Sequence, residues 1–493
     1  MRAMIATWPR RLLLATTLFI LAFLMAAVWL RYTHDTAAPG AADISNSTLM
    51  NSLLTLPAAM AALAFSLTSF IARPAQAEPI KESGAPVSAP MVAAAFKAQV
   101  VGVEWLNPLM RRDYPTEWQL LWTLGLAKPN AKDDMVKEDP KSFSSVQFVS
   151  QVVSNIDARN PFYSIFRRYV EAIVQPIGRR YALKSYYFYT VQPDSKKRWS
   201  ELHGIHMQVA IPATDKLPPK QAADLVRYAM NQEFEFSSDT LSTANIPADV
   251  HITSGGANAG FTSLNAAMDY LQANPDKSAW VMNWDSPDYP SDSSLAENCT
   301  LLILAGPQMN TQREPLAWIG RPAVTHTKDF ETKEGASKTY QAWEAALKQA
   351  AKQADTKVGE VAYVIHDTGV GANVGKRTAG LAQALTVAHP ELNFLEDGFN
   401  TPKLLGDMRA GSAVTNLALA IAWTHQKGKP VLVAGTTEIE DPVAVVVTPP
   451  AKPRIFHPDK DWFRARGEGN AYLPWWGLRK DFDWSTYMQG FSD

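Results

Sequence analysis

The chain has 493 residues, 46% of them hydrophobic, which is long enough for two or three globular domains. Its 47 basic and 48 acidic residues leave a net charge of −1, which argues against a nucleic-acid binder, since such proteins carry a basic stripe. The single cysteine, Cys299, excludes an internal disulfide framework and a cysteine-clustered metal site, and reads as a small buried hydrophobe.

The N-terminus carries two apolar stretches, "LLLATTLFILAFLMAAVWL" (Leu12–Leu30) and "LLTLPAAMAALAFSLTSFIA" (Leu53–Ala72). Each is about bilayer length, because ~20 helical residues span the hydrocarbon core. Arg2, Arg10 and Arg11 precede the first, so the expectation is a cytoplasmic N-terminus, two transmembrane helices and a cytoplasmic bulk anchored at the membrane. Periplasmic exposure is the rival, since Ala75-Gln76-Ala77 is a pattern that signal peptidase accepts. The expected division is a membrane anchor over 1–75, a Pro/Ser/Ala-rich linker over 76–94, an α/β domain over 95–450 and an aromatic-rich arm over 451–493.

Within the domain, "AQVVGVEWLNP" opens the compact region, and "YALKSYYFYTV" and "GIHMQVAIPA" read as strands. "PPKQAADLVRYAMNQEF" reads as a helix with proline at its start. "HITSGGANAGFTSLNAAMDYLQ" turns through two glycines into a helix whose Phe261, Leu264, Met268 and Leu271 share one face. The buried-strand runs "AWVMNW" and "TLLILAG" follow, then a weakly amphipathic helix at "YQAWEAALKQAAKQA" and the strand "EVAYVIH". "GSAVTNLALAIAWTHQKG" is apolar nearly all round, which predicts a helix buried on most sides. "PVLVAG" and "VAVVVTP" come after it as strands. The unit of glycine turn, buried helix, strand and strand therefore occurs twice. Val/Ile/Leu strands covered by helices predict a layered α/β fold.

The familiar chemistries fail one by one. His366 and Asp367 are adjacent, but no second histidine lies at helical spacing and H-E-x-x-H is absent, so no metal site is expected. "GVGANVGKRT" has Val370 and Arg377 where a P-loop needs glycine and Ser or Thr, and Val374 where a dinucleotide turn needs glycine. No cofactor is expected. A G-x-S-x-G elbow is also missing.

The repeated unit resembles the thiolase-like fold of the β-ketoacyl synthases, which is built from two similar halves, each with a buried central helix. That resemblance puts the family's nucleophilic cysteine, at a helix N-terminus where the dipole would stabilise a thiolate, on Asn258. "YVIHDTGVGAN" is similar to the family's first histidine segment and places that histidine on His366. "PKLLGDMRAGSAVTNLALA" is similar to the second, with Lys403 and Gly406 matching and Asp407 in place of the second histidine. Asn258 forms no thioester, and an ionised Asp407 repels the negative charge that develops during condensation. The resemblance therefore implies a duplicated thiolase-like fold without its catalytic set. Asn258 is expected to cap its helix, and Lys403 to pair with Asp407 or another acid.

Three further stretches resemble the type VI lipase adapter proteins: "VGVEWLNPLMRRDYPTEW" (Val101–Trp118), "MNWDSPDYP" (Met282–Pro290) and "LLGDMRAGS" (Leu404–Ser412). This second resemblance implies a non-catalytic adapter that binds a phospholipase effector and targets it to the VgrG spike of the type VI secretion system. Trp475, Trp476 and Trp484 of the C-terminal arm and Tyr289 of the "SPDYPSDSS" loop are the candidate contact residues, because Trp and Tyr are enriched in interface hot spots. Two alternatives stand beside the adapter: a degenerate acyl-chain binder, and an enzyme that uses His366 with an unrecognised nucleophile.

Overall fold

The computed structural model describes residues 95–148, 159–181, 205–233, 248–287, 296–311 and 313–457, with a few positions outside these ranges. The chain divides into two compact units, Met1–Met91 and Val92–Asp493. In the first unit, residues 16, 17, 19, 20 and 23–28 are helical. Nine of the 19 residues of Leu12–Leu30, most of Leu53–Ala72 and all of the 76–94 linker lie outside the described residues. Among the described residues no helix is long and apolar enough to cross a membrane.

The second unit opens with strand β1 (Lys97–Leu106) and helices α1 (Thr116–Thr123) and α2 (Pro161–Tyr181). Next come β2 (His206–Pro212), α3 (Pro219–Glu233), β3 (Asp249–Gly255), α4 (Ala259–Ala273), β4 (Ser278–Asp285) and β5 (Asn298–Ala305). A second series follows as β6 (Trp318–Gly320), the two-residue β7 (Ala323–Val324), α5 (Lys338–Gln353), β8 (Tyr363–His366), α6 (Val374–Ala388) and β9 (Gly398–Asn400). It ends with α7 (Ser412–Lys427), β10 (Val431–Gly435) and β11 (Val443–Thr448).

The two series pair in the same way. In the first, β2 lies parallel between β3 and β4, β5 is antiparallel to β4, and β1 is antiparallel to β5. In the second, β8 lies parallel between β9 and β10, β11 is antiparallel to β10, and β6 is antiparallel to β11. Strand for strand, β1 to β5 therefore correspond to β6, β8, β9, β10 and β11, and the two sets join where β1 pairs with β6. Helices follow the same rule, since α4 and α7 each connect the outer parallel strand of their half to the inner one. Parallel neighbours need such a crossover, and its helix must cover a sheet face.

Apolar patterning explains the layers. Every residue of β2, β4 and β5 is buried, as continuous apolar strands covered on both faces should be. α7 is buried from Ser412 to Gln426, as its all-round apolar sequence demands. α4 lies against it, and a Cβ at Gly260 would stand 2.8 Å from Ala413 Cβ. Only a hydrogen fits there, so the glycine sets how closely the two halves approach. α5 is more clearly one-sided than its sequence suggests, burying Ala342, Trp343, Ala346, Leu347 and Ala350. Tyr181 ends α2 rather than opening a strand, and most of "YALKSYYFYTV" falls outside the described residues. Cys299 is buried and free.

The start of the C-terminal arm packs back on the domain. Phe456 and Trp462 are buried and meet edge to face at 5.0 Å. Trp475–Trp476 form β12, antiparallel to β1 at Val103 and Gly102. Trp484 and Tyr289 lie outside the described residues.

Candidate functional site

The duplication brings the ends of β4, β8 and β10 to the N-termini of α4 and α7. Asn258 stands at the cap position of α4, but its side chain makes no capping bond, which corrects the sequence expectation. Its backbone is already helical there (φ −82°, ψ −6°), whereas a capping side chain needs an extended residue. The amide Nδ2 instead donates to the Asp441 carbonyl at 2.8 Å, and the backbone N–H donates to Glu438 Oε1 at 3.1 Å. Both partners belong to the β10–β11 loop of the other half. A Cβ at Gly256 would sit 2.7 Å from Glu438 Oε1, so the glycine turn that opens this helix makes room for a carboxylate. The positive end of α4 is thus occupied by Glu438.

The N-terminus of α7 is held reciprocally by the first half. Asp285, at the end of β4, accepts from the Ala410 N–H at 3.0 Å and from Arg409 Nη2 at 2.7 Å, and Arg409 also donates to the Ser286 carbonyl. Arg409 adopts a positive φ of 43° to make these bonds. Burial pushes the Asp285 carboxyl up to about 6, against the opposing pull of Arg409 and the backbone donors. One turn further on, Asn298 Nδ2 donates to the Gly411 carbonyl and to Thr415 Oγ1, while Asn298 Oδ1 accepts from Trp105 Nε1 at 2.7 Å. The three stretches that resemble the adapter family therefore meet around one helix end. Trp105 comes from the first, Asp285 from the second, and Arg409 with Gly411 from the third.

His366 ends β8, where it pairs in register with Ala434 of β10. Its Nδ1 lies 2.7 Å from Thr368 Oγ1, and its ring stacks on Phe394 with centroids 5.1 Å apart. Burial pulls its pKa down to about 4, so it is neutral near pH 7. The adjacent Asp367 is buried and accepts from the N–H groups of Thr436 and Thr437 and from the Thr436 hydroxyl, tying β8 to the loop after β10. His366 and Lys403 line one cleft of about 1120 Å³, together with Phe394, Leu395, Leu392 and Leu404. Lys403 makes no ion pair with Asp407, which corrects the second expectation. Asp407 instead accepts from the Arg409 N–H two residues on, closing its own turn. Neither Asn258 nor Asp407 lines the cleft. Of the four positions assigned by resemblance, the structure brings only His366 and Lys403 together.

The glycine loop at 369–373 leads into α6, and Asn400 grips both backbone groups of Gly369, at 3.2 and 2.7 Å. Asp285, Glu438 and Asn298 were not singled out from sequence. Asp285 and Arg409 lie 124 residues apart, and nothing local marks them as partners.

The fold and the site together define a mixed α/β protein with a duplicated core, in which each half braces the central helix of the other. Residues 316–449 match the family model described as "Type VI lipase adapter protein Tla3, C-terminal", which bears out the resemblance to the type VI lipase adapter family. That stretch contains the whole second half, from β6 to β11. No curated protein sequence matches the chain. Among solved structures, the ishigamide ketosynthase/chain length factor is similar with 15% identity and a TM-score of 0.44, covering 72% of this chain and 99% of its own. A ketosynthase from module 6 of the bacillaene synthase of Bacillus subtilis 168 is similar with 10% identity and a TM-score of 0.47, covering 72% of both chains. At these values neither likeness bears on chemistry, and the paired strand order defines the architecture.

Proposed function

We propose that the protein is a non-catalytic adapter that binds a phospholipase effector in the cytoplasm and delivers it to the VgrG spike of a type VI secretion system. The match of residues 316–449 to the lipase adapter family carries this reading. The helix ends support the non-catalytic part. A thiolate needs an unoccupied positive helix end, and α4 offers Asn258 with Glu438 already bonded to its N-terminus. The hydroxyl beside the neutral His366, Thr368 Oγ1, is fully buried and also bonded to Thr436 Oγ1, which keeps it from a substrate.

The effector is captured through surface complementarity. The cleft of the second half offers an apolar rim for this, since Leu395 is 88% exposed and Leu404 is 37% exposed. Co-expression with a phospholipase effector from the same organism should yield a stable complex, and secretion of that lipase should stop when the gene is deleted. Leu395→Asp should weaken the complex at least ~10-fold, as loss of one apolar anchor does. Undiminished lipase secretion from the deletion strain overturns the reading.

One observation favours a second reading, an acyl-chain binder: the cleft joins apolar Phe394 and Leu392 to a neutral histidine and the cation Lys403. Native mass spectrometry after incubation with acylated carrier protein would show a retained acyl chain. An empty protein under those conditions retires it.

A further inference from the structure

Among the described residues, one cluster of metal-competent side chains lies apart from the helix ends and the cleft. β2 and β3 run parallel at the outer end of the first half, with His206 opposite Asp249 and Gln208 opposite His251. Residues two apart on a strand share a face, so the imidazoles of His206 and His251 and the carboxylate of Asp249 rise on one side. His206 Nδ1 lies 2.8 Å and His251 Nε2 lies 2.9 Å from the same oxygen, Asp249 Oδ2. The three donor atoms all fall within 4.8 Å of one another.

We propose that His206, Asp249 and His251 form a binding site for a zinc-class divalent metal ion, with the fourth coordination position open to water or an incoming ligand. Two imidazole nitrogens and one carboxylate oxygen suit zinc and its neighbours, whereas magnesium and calcium take oxygen-rich shells. Bonds near 2.0–2.2 Å in a tetrahedron set donors about 3.4 Å apart, so the cluster needs a modest adjustment, with Asp249 Oδ2 drawing back from the two imidazole nitrogens that now lie 2.8 and 2.9 Å away. Asp249 and His251 are exposed and can supply it by rotating.

His206 is the fixed member. It is buried, its ring stacks on Tyr270 of α4 at 3.9 Å, and its Nε2 lies 2.9 Å from the Gln208 amide. With that amide turned over, the Gln208 carbonyl oxygen accepts the Nε2–H and leaves Nδ1 bare toward the metal. An orienting partner of this kind is the usual companion of a metal-bound histidine. The sequence conceals the site because its ligands sit on two strands, with His206 and Asp249 43 positions apart. Searching for histidines at helical spacing does not find it.

The test is calorimetric titration of the full-length, untagged, chelator-stripped protein with zinc chloride, with thermal melts in parallel. The expected result is saturable binding of about one equivalent and a rise in Tm, with magnesium chloride unable to compete. His251→Ala and Asp249→Asn should each weaken binding at least ~10-fold and abolish the Tm rise. Both alter exposed side chains, and far-UV circular dichroism checks that they fold. Lack of saturable zinc binding by the parent protein overturns the proposal. So does one equivalent bound with undiminished affinity by both variants, which would place the ion elsewhere.

Discussion

The N-termini of α4 and α7 occupy equivalent places in the two halves, yet they are braced in different ways. Each receives a carboxylate from the other half: Glu438 reaches the start of α4, and Asp285 reaches the start of α7. Glu438 is partly exposed and accepts one backbone N–H, while the Asp285 side chain is 1% exposed and also holds Arg409. The same helix-dipole logic therefore yields an adjustable contact in one half and a core element in the other. The helix end that the sequence resemblance assigns to a nucleophile is, in the structure, a joint between the two halves.

The most direct way to break the comparison is to force the halves apart. Gly260 lies against Ala413 and Val414, with room for no Cβ. Gly260→Leu should cost about 3 kcal/mol or more, since overpacking a closed helix contact shifts backbone. Urea unfolding measures it. A variant as stable as the parent would mean that α4 and α7 do not meet this closely.

The two braces can then be weighed against each other. Asp285→Ala leaves the Ala410 N–H and part of the Arg409 guanidinium without their acceptor, and should cost about 2–3 kcal/mol. Glu438→Ala removes one partly exposed bond at a helix start, and should cost about 1 kcal/mol. Equal losses from the two substitutions would remove the distinction drawn between the halves.

Acid titration sharpens the contrast, because two buried groups, Asp285 at the start of α7 and His366 at the end of β8, shift in opposite directions. Asp285 rises from 3.8 to about 6, so between those pH values the folded protein holds a proton that the unfolded chain has released. Its contribution to stability is complete below about pH 4 and is lost as pH rises through 6. His366 falls from 6.5 to about 4, so over nearly the same window the unfolded chain holds the extra proton. Its contribution is present above pH 6.5 and is lost as pH falls toward 4. Asp285→Asn should therefore make the stability curve rise more steeply with pH between 4 and 6, and His366→Gln should make it rise less. Neither effect should exceed about 1.4 kcal/mol per pH unit. Parallel urea series at pH 4, 5, 6 and 7 would show the opposed tilts, and tilts of the same sign would refute the assignment.

Much of this architecture was legible in the sequence, for physical reasons particular to each element. The all-apolar helix at Ser412–Lys427 could only be central, and the continuous runs at Ala279–Trp284 and Thr300–Ala305 could only be strands covered on both faces. The repeated order of glycine turn, buried helix, strand and strand pointed to the duplication. Long-range polar pairing stayed hidden, because Asp285 and Arg409 carry no local pattern that matches one to the other. The stretches "MNWDSPDYP" and "LLGDMRAGS" were recognisable only as resembling a family, and the structure supplies their physical reason in the buried bonds between them. Asn258 was read as a cap from residue type alone. Residue type cannot show that its backbone is already helical or that a loop from the far half takes its amide.

That last error leads to the smallest and most discriminating test. If Asn258 capped α4, truncation would fray the first turn of the helix and leave the β10–β11 loop untouched. In the structure its Nδ2 holds the Asp441 carbonyl, and Asp441 Oδ1 in turn meets His326 Nδ1 at 2.6 Å. Asn258→Ala should cost about 1 kcal/mol, the net worth of one hydrogen bond. The loss should appear as faster amide exchange in residues 436–442, while the N–H groups of Thr262 and Ser263 stay protected. Faster exchange confined to the first turn of α4 would restore the capping role and remove this link between the halves.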